Sequence, residues 1–230
     1  MKTFENAIEF LFDNTGLIWD KTLEHIWLSL ASLAVATVIA IPLGVWLGHR
    51  HRGSFIAINV SNVGRALPSL AVISIGLGLL GVGFTNVLVA LVILAAPVML
   101  TNAYVAVDQV DQDAVRAARA MGMTALQVLW RVELPLALPL IFAGIRTVAV
   151  YVVATAPLAA LAGGGGLGDI IVNQPTYGPE GVVAGSLAIA ALAFATEGVF
   201  ALLQYAVTPR PLRRRTKESL LEPKLETAAA

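Results

Sequence analysis

Apolar residues in this chain are gathered into long runs instead of recurring at the spacing of a surface helix or strand. Residues 26–47 run 22 positions without Asp, Glu, Lys or Arg, residues 66–107 run 42, and residues 147–168 run 22 again. A bilayer core takes about 20 apolar residues per helix. The pattern therefore predicts an all-α membrane protein with about five spanning helices, near 23–48, 54–80, 84–107, 136–161 and 181–207. The second is expected to break near Pro68, because the residue before a proline avoids helical geometry. The pattern leaves open whether 54–64 spans or lies in the interface. Gly81, Val82 and Gly83 turn the chain into the third helix, and 108–135 form a charged interlude. The plan is an N-terminal extracytoplasmic segment 1–22, a membrane domain 23–208 and a hydrophilic tail 209–230.

Composition agrees with this plan. Of 230 residues 57% are apolar and 13% charged, against roughly 25% charged in a soluble domain. Fifteen basic and fifteen acidic residues cancel, so no basic surface argues for nucleic acid. The absence of cysteine excludes a disulfide framework, thiolate metal ligands and a cysteine nucleophile. Glu5, Glu9, Asp13 and Asp20 stand where a secretory signal would carry basic residues.

Lysine and arginine set the expected orientation. With the N-terminus outside, the inner segments hold Arg50, Arg52, Arg116, Arg119, Arg131, Arg210, Arg213, Arg214, Arg215, Lys217 and Lys224. The outer segments hold only Lys2 and Lys21. This arrangement puts the 108–135 interlude and the C-terminus in the cytoplasm. The 213–215 arginine run reads as an anchor to anionic lipid.

The interlude has internal punctuation. Asp111 or Asp113 can cap a short helix, and Gly122 can close it in left-handed geometry. Ala117, Ala118 and Ala120 would give that helix a small-residue surface. A second helix carries Leu126, Leu129 and Trp130 and is expected to end at Leu134-Pro135. The interlude thus reads as a helical hairpin between two membrane helices.

These residues resemble the Glu-Ala-Ala loop of ABC importer permeases. Ala117-Ala118, Gly122, Val132, Leu134 and Pro135 match its spacing, with Arg116 in the place of the motif's glutamate and a reversed charge. Arg65-Ala66-Leu67-Pro68-Ser69-Leu70 is similar to the arginine-proline segment of that family's second helix. Ala143 to Thr147 and Gly163 to Gly168 look like its osmoprotectant branch, which imports glycine betaine, choline, carnitine and related quaternary amines. The resemblance implies the type I importer permease fold and a dimer with a second copy or a sister permease. It implies that Arg116, Ala117, Ala118, Gly122, Leu134 and Pro135 couple to a cytoplasmic P-loop ATPase, and that an extracytoplasmic binding protein delivers substrate. ATP and magnesium would then sit on the partner, and this chain carries no Gly-x-x-x-x-Gly-Lys-Ser/Thr loop of its own.

Charges at bilayer depth cost at least a few kcal/mol unless paired or solvated. Arg146 lies about ten residues into the fourth helix and Glu197 about ten from the end of the fifth, so at about 1.5 Å per residue they reach similar depth. An Arg146–Glu197 pair is expected, as a packing clasp or as a polar lining of the pathway. Arg65 belongs at the cytoplasmic mouth or deeper beside Glu197. Ser69, Ser74, Thr155 and Ser186 are pathway or helix-packing residues.

Residues 163–168 satisfy G-x-G-x-x-G formally but follow a membrane helix, whereas the dinucleotide fingerprint follows a strand. They are read as a flexible external turn leading to Asp169, Asn173, Gln174, Tyr177 and Glu180, a contact surface for a binding protein or a plain solvated loop. His25, His49 and His51 are expected at the interfaces without zinc spacing, and Trp19, Trp27 and Trp46 as interfacial anchors. No nucleophile and base share a membrane depth, so a non-catalytic subunit is expected, without cofactor or metal. The leading reading is a cell-membrane permease for an osmoprotectant. The alternatives are a permease for another small solute such as an amino acid, or a stand-alone secondary carrier.

Overall fold

The computed structural model describes residues 2–51 and 54–208. The hydrophilic tail, including the 213–215 arginine run, and Arg52 lie outside the described residues. Apart from turns, the described chain is helical throughout. Helix α1 (Lys2–Asp13) leads through Asn14 alone into α2 (Thr15–His49). The first long helix therefore begins at Thr15, ahead of the expected 23. The preceding residues form an amphipathic helix with Ala7 fully buried and Phe4, Ile8 and Phe12 exposed.

The second expected span is two short helices, α3 (Ser54–Ala66) and α4 (Ser69–Leu80). Pro68, with φ −66° and ψ 120°, interrupts them. At 12 residues α4 rises only about 18 Å, well short of an apolar bilayer core. Four other stretches are long and apolar enough to cross a membrane: α2, α5 (Phe84–Asp108), the helical run from Ala125 to Ala162, and α10 (Gln174–Val207).

The Ala125–Ala162 run changes pitch three times. It comprises α7 (Ala125–Val128), a π turn (Leu129–Glu133), α8 (Leu134–Thr155) and a 3-10 segment (Ala156–Ala162). Leu134-Pro135 does not end a helix here, contrary to the sequence expectation. The amide of Leu134 donates to the Leu129 carbonyl, five residues back, and this wider turn accommodates Pro135, which has no N–H to give. The short helix α9 (Gly168–Val172) then leads to α10, which is kinked at Gly178 just before Pro179.

Helices α2, α5 and α8 form the centre. Leu28, Leu33, Ala36 and Ala40 of α2 pack with Val87, Leu91, Ala95 and Met99 of α5 and with Val148 and Val152 of α8. Small residues at these contacts let helices approach closely where lipid tails are as apolar as leucine. Helix α10 packs on α8 from outside, and Phe194, Val199, Leu202 and Tyr205 point away from the bundle.

Candidate functional site

The hairpin between α5 and α8 is built by local chemistry. The Asp111 side chain accepts from the Asp113 amide at 2.9 Å and opens α6 (Gln112–Ala120). Gly122, at φ +84°, closes it. Its amide donates to the Arg119 carbonyl at 2.9 Å and that of Met123 to Ala118 at 3.2 Å, the paired bonds of a Schellman ending. Thr124 and Gln127 then form a reciprocal capping box that starts α7.

Helical period decides which side chains face out. Val115 and Ala118, three apart, are buried with Val128 and with Val107 and Val110 at the end of α5. Arg116, Ala117, Arg119 and Ala120 are exposed, as is Met121 at 72%. The expected small-residue surface of Ala117, Ala118 and Ala120 thus loses Ala118, which faces the hairpin's own core. Arg116 reaches only an exposed Asp113 at 3.6 Å, a contact that adds little stability. Leu126 and Trp130 are each 65% exposed. Together with Leu134 and Pro135 they line an apolar groove of about 590 Å³ against Ile41, Pro42, Val45 and Trp46 of α2. The hairpin therefore presents a firm outer face of a cation, small side chains and large apolar ones, backed by a compact apolar core.

Halfway along the bundle, Arg146 of α8 meets Glu197 of α10. Its Nε donates to Glu197 Oε1 at 2.8 Å, and a second guanidinium nitrogen contacts the same oxygen. Gln204, seven residues on and so on the same face, accepts from Arg146 at 3.2 Å and donates to the Pro139 carbonyl at 3.3 Å. Gln204 was missed from sequence, although its i+7 spacing from Glu197 marks it. Ser69 is half-buried at the start of α4 and Ser74 is exposed. Thr155 and Ser186 donate to carbonyls of their own helices, at 2.7 and 2.8 Å. Arg65 belongs to the last turn of α3, and its side chain lies outside the described residues.

The opposite end overturns the expectation of a flexible turn. Gly166 donates its amide to Glu24 Oε2 at 2.9 Å, and Glu24 also accepts from Lys21 at 2.9 Å. Lys21 reaches Asp169 at 2.8 Å. A Cβ on Gly168 would lie 2.2 Å from the Pro157 carbonyl oxygen, so no other side chain fits. Leu167, Gly168 and Ile170 are buried. His25 is buried as well, not interfacial, and donates through Nε2 to the Val153 carbonyl at 3.0 Å. That carbonyl would normally pair with residue 157, a proline without an N–H. Tyr177 stacks edge-on against Phe10, Asn173 and Gln174 are exposed, and Glu180 is half-exposed.

His49 and His51 also have partners. His49 Nδ1 lies 2.6 Å from Glu133 Oε2, and His51 Nδ1 lies 2.9 Å from Asp108 Oδ1. Glu133 was missed from sequence, although an acid embedded in the apolar start of a span is itself a signal. Trp19, Trp27 and Trp46 are all exposed on α2, and Arg50 covers the Trp46 ring at 5.0 Å.

A bundle of four long apolar stretches with a helical hairpin between the second and third has the layout of an importer permease, and comparison with known proteins agrees. The chain belongs to the family of binding-protein-dependent transport system inner membrane components, whose pattern matches residues 40–213. It is 36% identical over 91% of its length to the choline transport system permease protein OpuBB of Bacillus subtilis, 97% of which is covered. It is 37% identical to the glycine betaine/carnitine/choline transport system permease protein OpuCB of the same organism, over 89% of this chain and 94% of that one. The carnitine transport permease protein OpuCB of Listeria monocytogenes is 34% identical, over 90% and 95%. Among solved structures, the MetNI methionine ABC transporter in an inward facing conformation superposes with a TM-score of 0.73 at 23% identity, covering 85% of this chain and 98% of that one. An amino acid ABC transporter gives 0.65 at 19%, covering 85% and 94%. The fold is that of type I ABC importer permeases, and the chain is the inner-membrane permease component of such an importer.

Proposed function

We propose that this permease imports osmoprotectants of the quaternary amine class, with choline, glycine betaine and carnitine as its nearest chemical candidates. The observation that carries the reading is 34–37% identity, over about nine tenths of the chain, to permeases named for those three solutes. The outer face of the hairpin, formed by Arg116, Ala117, Ala120 and Met121 around the Gly122 turn, docks into a cleft on a separate P-loop ATPase. ATP and magnesium are bound there, and closure of two ATPases moves two hairpins together. Two permeases, identical copies or sisters, form the pathway. A binding protein supplies substrate at the end that carries the 163–168 turn. The N-terminus is extracytoplasmic and the hairpin cytoplasmic, supported by the eleven-to-two distribution of lysine and arginine. The Arg146–Glu197–Gln204 clasp holds α8 against α10 while these helices tilt.

The test is uptake into proteoliposomes carrying the permease, its co-purified ATPase and added binding protein, with labelled choline, glycine betaine, carnitine and methionine side by side. ATP-dependent accumulation of a quaternary amine is expected. Accumulation of methionine alone would reassign the substrate, and uptake without ATP would indicate a stand-alone carrier. Gly122→Asp should leave insertion intact and abolish ATPase recovery in a detergent pull-down.

A further inference from the structure

Helix α2 ends at His49, against the second leg of the hairpin. There Glu133 is 1% exposed, and its Oε2 lies 2.6 Å from His49 Nδ1. Its other oxygen, Oε1, is buried without a hydrogen-bond partner. Glu133 is the last residue of the π turn at 129–133, where the widened helix precedes Pro135.

The other side of α2 is fused to α5. Gly44 and Gly48, one turn apart, bring the two backbones together: a Cβ on Gly44 would lie 2.5 Å from the Leu100 carbonyl oxygen, and one on Gly48 2.7 Å from that of Tyr104. Such small-residue contacts hold helices at close range. Just past the end of α2, His51 is hydrogen-bonded to Asp108, the last residue of α5, at 2.9 Å. At this end α2 and α5 are packed backbone to backbone.

We propose that Glu133 and His49 are positioning residues that latch the hairpin to the α2–α5 body, so that hairpin displacement reaches the first long helix. This rests on the reading that the hairpin docks an ATPase. Apolar contacts alone can slide, and the neighbouring groove between α2 and Leu126, Leu129, Trp130 and Leu134 is of that kind. A hydrogen bond to a buried carboxylate cannot slide freely, because parting it strands a polar group in apolar surroundings.

The chain has no native cysteine, so spin labels can be placed at will. Labels at Val38→Cys on α2 and Ala125→Cys on the second leg of the hairpin, both exposed sites away from the docking face, report the distance across the latch. The measurement is pulsed electron spin resonance on the permease with its co-purified ATPase in nanodiscs, without nucleotide and with ATP plus vanadate. In the latched protein the distance is expected to be narrow and unchanged by nucleotide. In Glu133→Met and in His49→Leu it should shift with nucleotide by about half a helical turn, roughly 3 Å. His49→Asn, which keeps a donor near the Nδ1 position, should restore the latched behaviour.

Nucleotide-independent distances in Glu133→Met would overturn the latch. A distance already broadened before nucleotide, or loss of the ATPase from Glu133→Met alone, would make the pair a folding element and overturn it too. If the unsubstituted permease retains no ATPase, the docking reading itself fails, and the latch fails with it.

Discussion

The two ends of the bundle are built by opposite strategies. At the 163–168 end, Lys21, Glu24, Asp169 and the Gly166 amide form one continuous polar network, and His25 fills the hydrogen bond that Pro157 leaves open. A Cβ on Gly168 there would run into the Pro157 backbone. At the hairpin end the backbone is ordered by its own caps and turn, while Met121, Leu126 and Trp130 are left uncovered. The first end spends its side chains on itself; the second holds a firm surface open.

The largest effect is expected where the closed end is tightest. Gly168→Ala places a methyl 2.2 Å from the Pro157 carbonyl oxygen and should destabilise the detergent-solubilised protein by about 3 kcal/mol, read as a lowered midpoint of thermal unfolding. An unchanged midpoint would mean that this end yields, and the contrast between the ends would fail.

Next is His25→Leu, which keeps apolar bulk but leaves the Val153 carbonyl without its donor. A loss of about 1–3 kcal/mol is expected for a buried acceptor stranded in this way. The double variant His25→Leu/Pro157→Ala should recover part of it, because residue 157 regains an N–H.

At the hairpin end, Gly122→Ala meets open space but must hold φ +84°. It should cost about 1–2 kcal/mol from backbone strain alone. Gly122→Asn should cost less, since asparagine tolerates left-handed geometry. Equal losses for both would point to something other than backbone conformation.

The smallest effect on stability sharpens the comparison most. Ala117→Trp adds bulk to an exposed position and should leave the unfolding midpoint within about 0.5 kcal/mol of the unsubstituted protein. The same variant should lose its co-purifying ATPase. If it retains the ATPase at full stoichiometry, the docking face lies elsewhere on the hairpin.

Much of the hairpin was legible in the chain because its signals act over a few residues. Asp111 or Asp113 as cap and Gly122 as turn could be read whatever surrounds them, while the equally local Thr124–Gln127 box was missed. The expectation for Ala118 failed for a different reason: three alanines in a row of four carry no label saying which faces inward, and Val115 beside them decides it. The expectation of a flexible glycine turn failed because glycine permits close packing as readily as it permits motion. Helix α1 was overlooked although Phe4, Ala7, Ile8 and Leu11 repeat at helical spacing; the acidic residues between them obscured the pattern.

By itself the sequence determined that the chain lives in a membrane, roughly where its long helices run, and where the hairpin begins and turns. Those properties follow from uninterrupted apolar length and from caps within three or four residues. It also pointed to the Arg146–Glu197 pair, two opposite charges at one depth in apolar surroundings, with Arg65 as the other candidate partner of Glu197. Only the tertiary structure decided which faces of the apolar helices pack on each other, how Lys21, Glu24 and Asp169 close one end, and that His49 finds Glu133 across 84 positions. Inside a bilayer, lipid and protein neighbours are equally apolar, so hydropathy cannot tell a packed face from a lipid face. The arrangement of the helices alone makes that distinction.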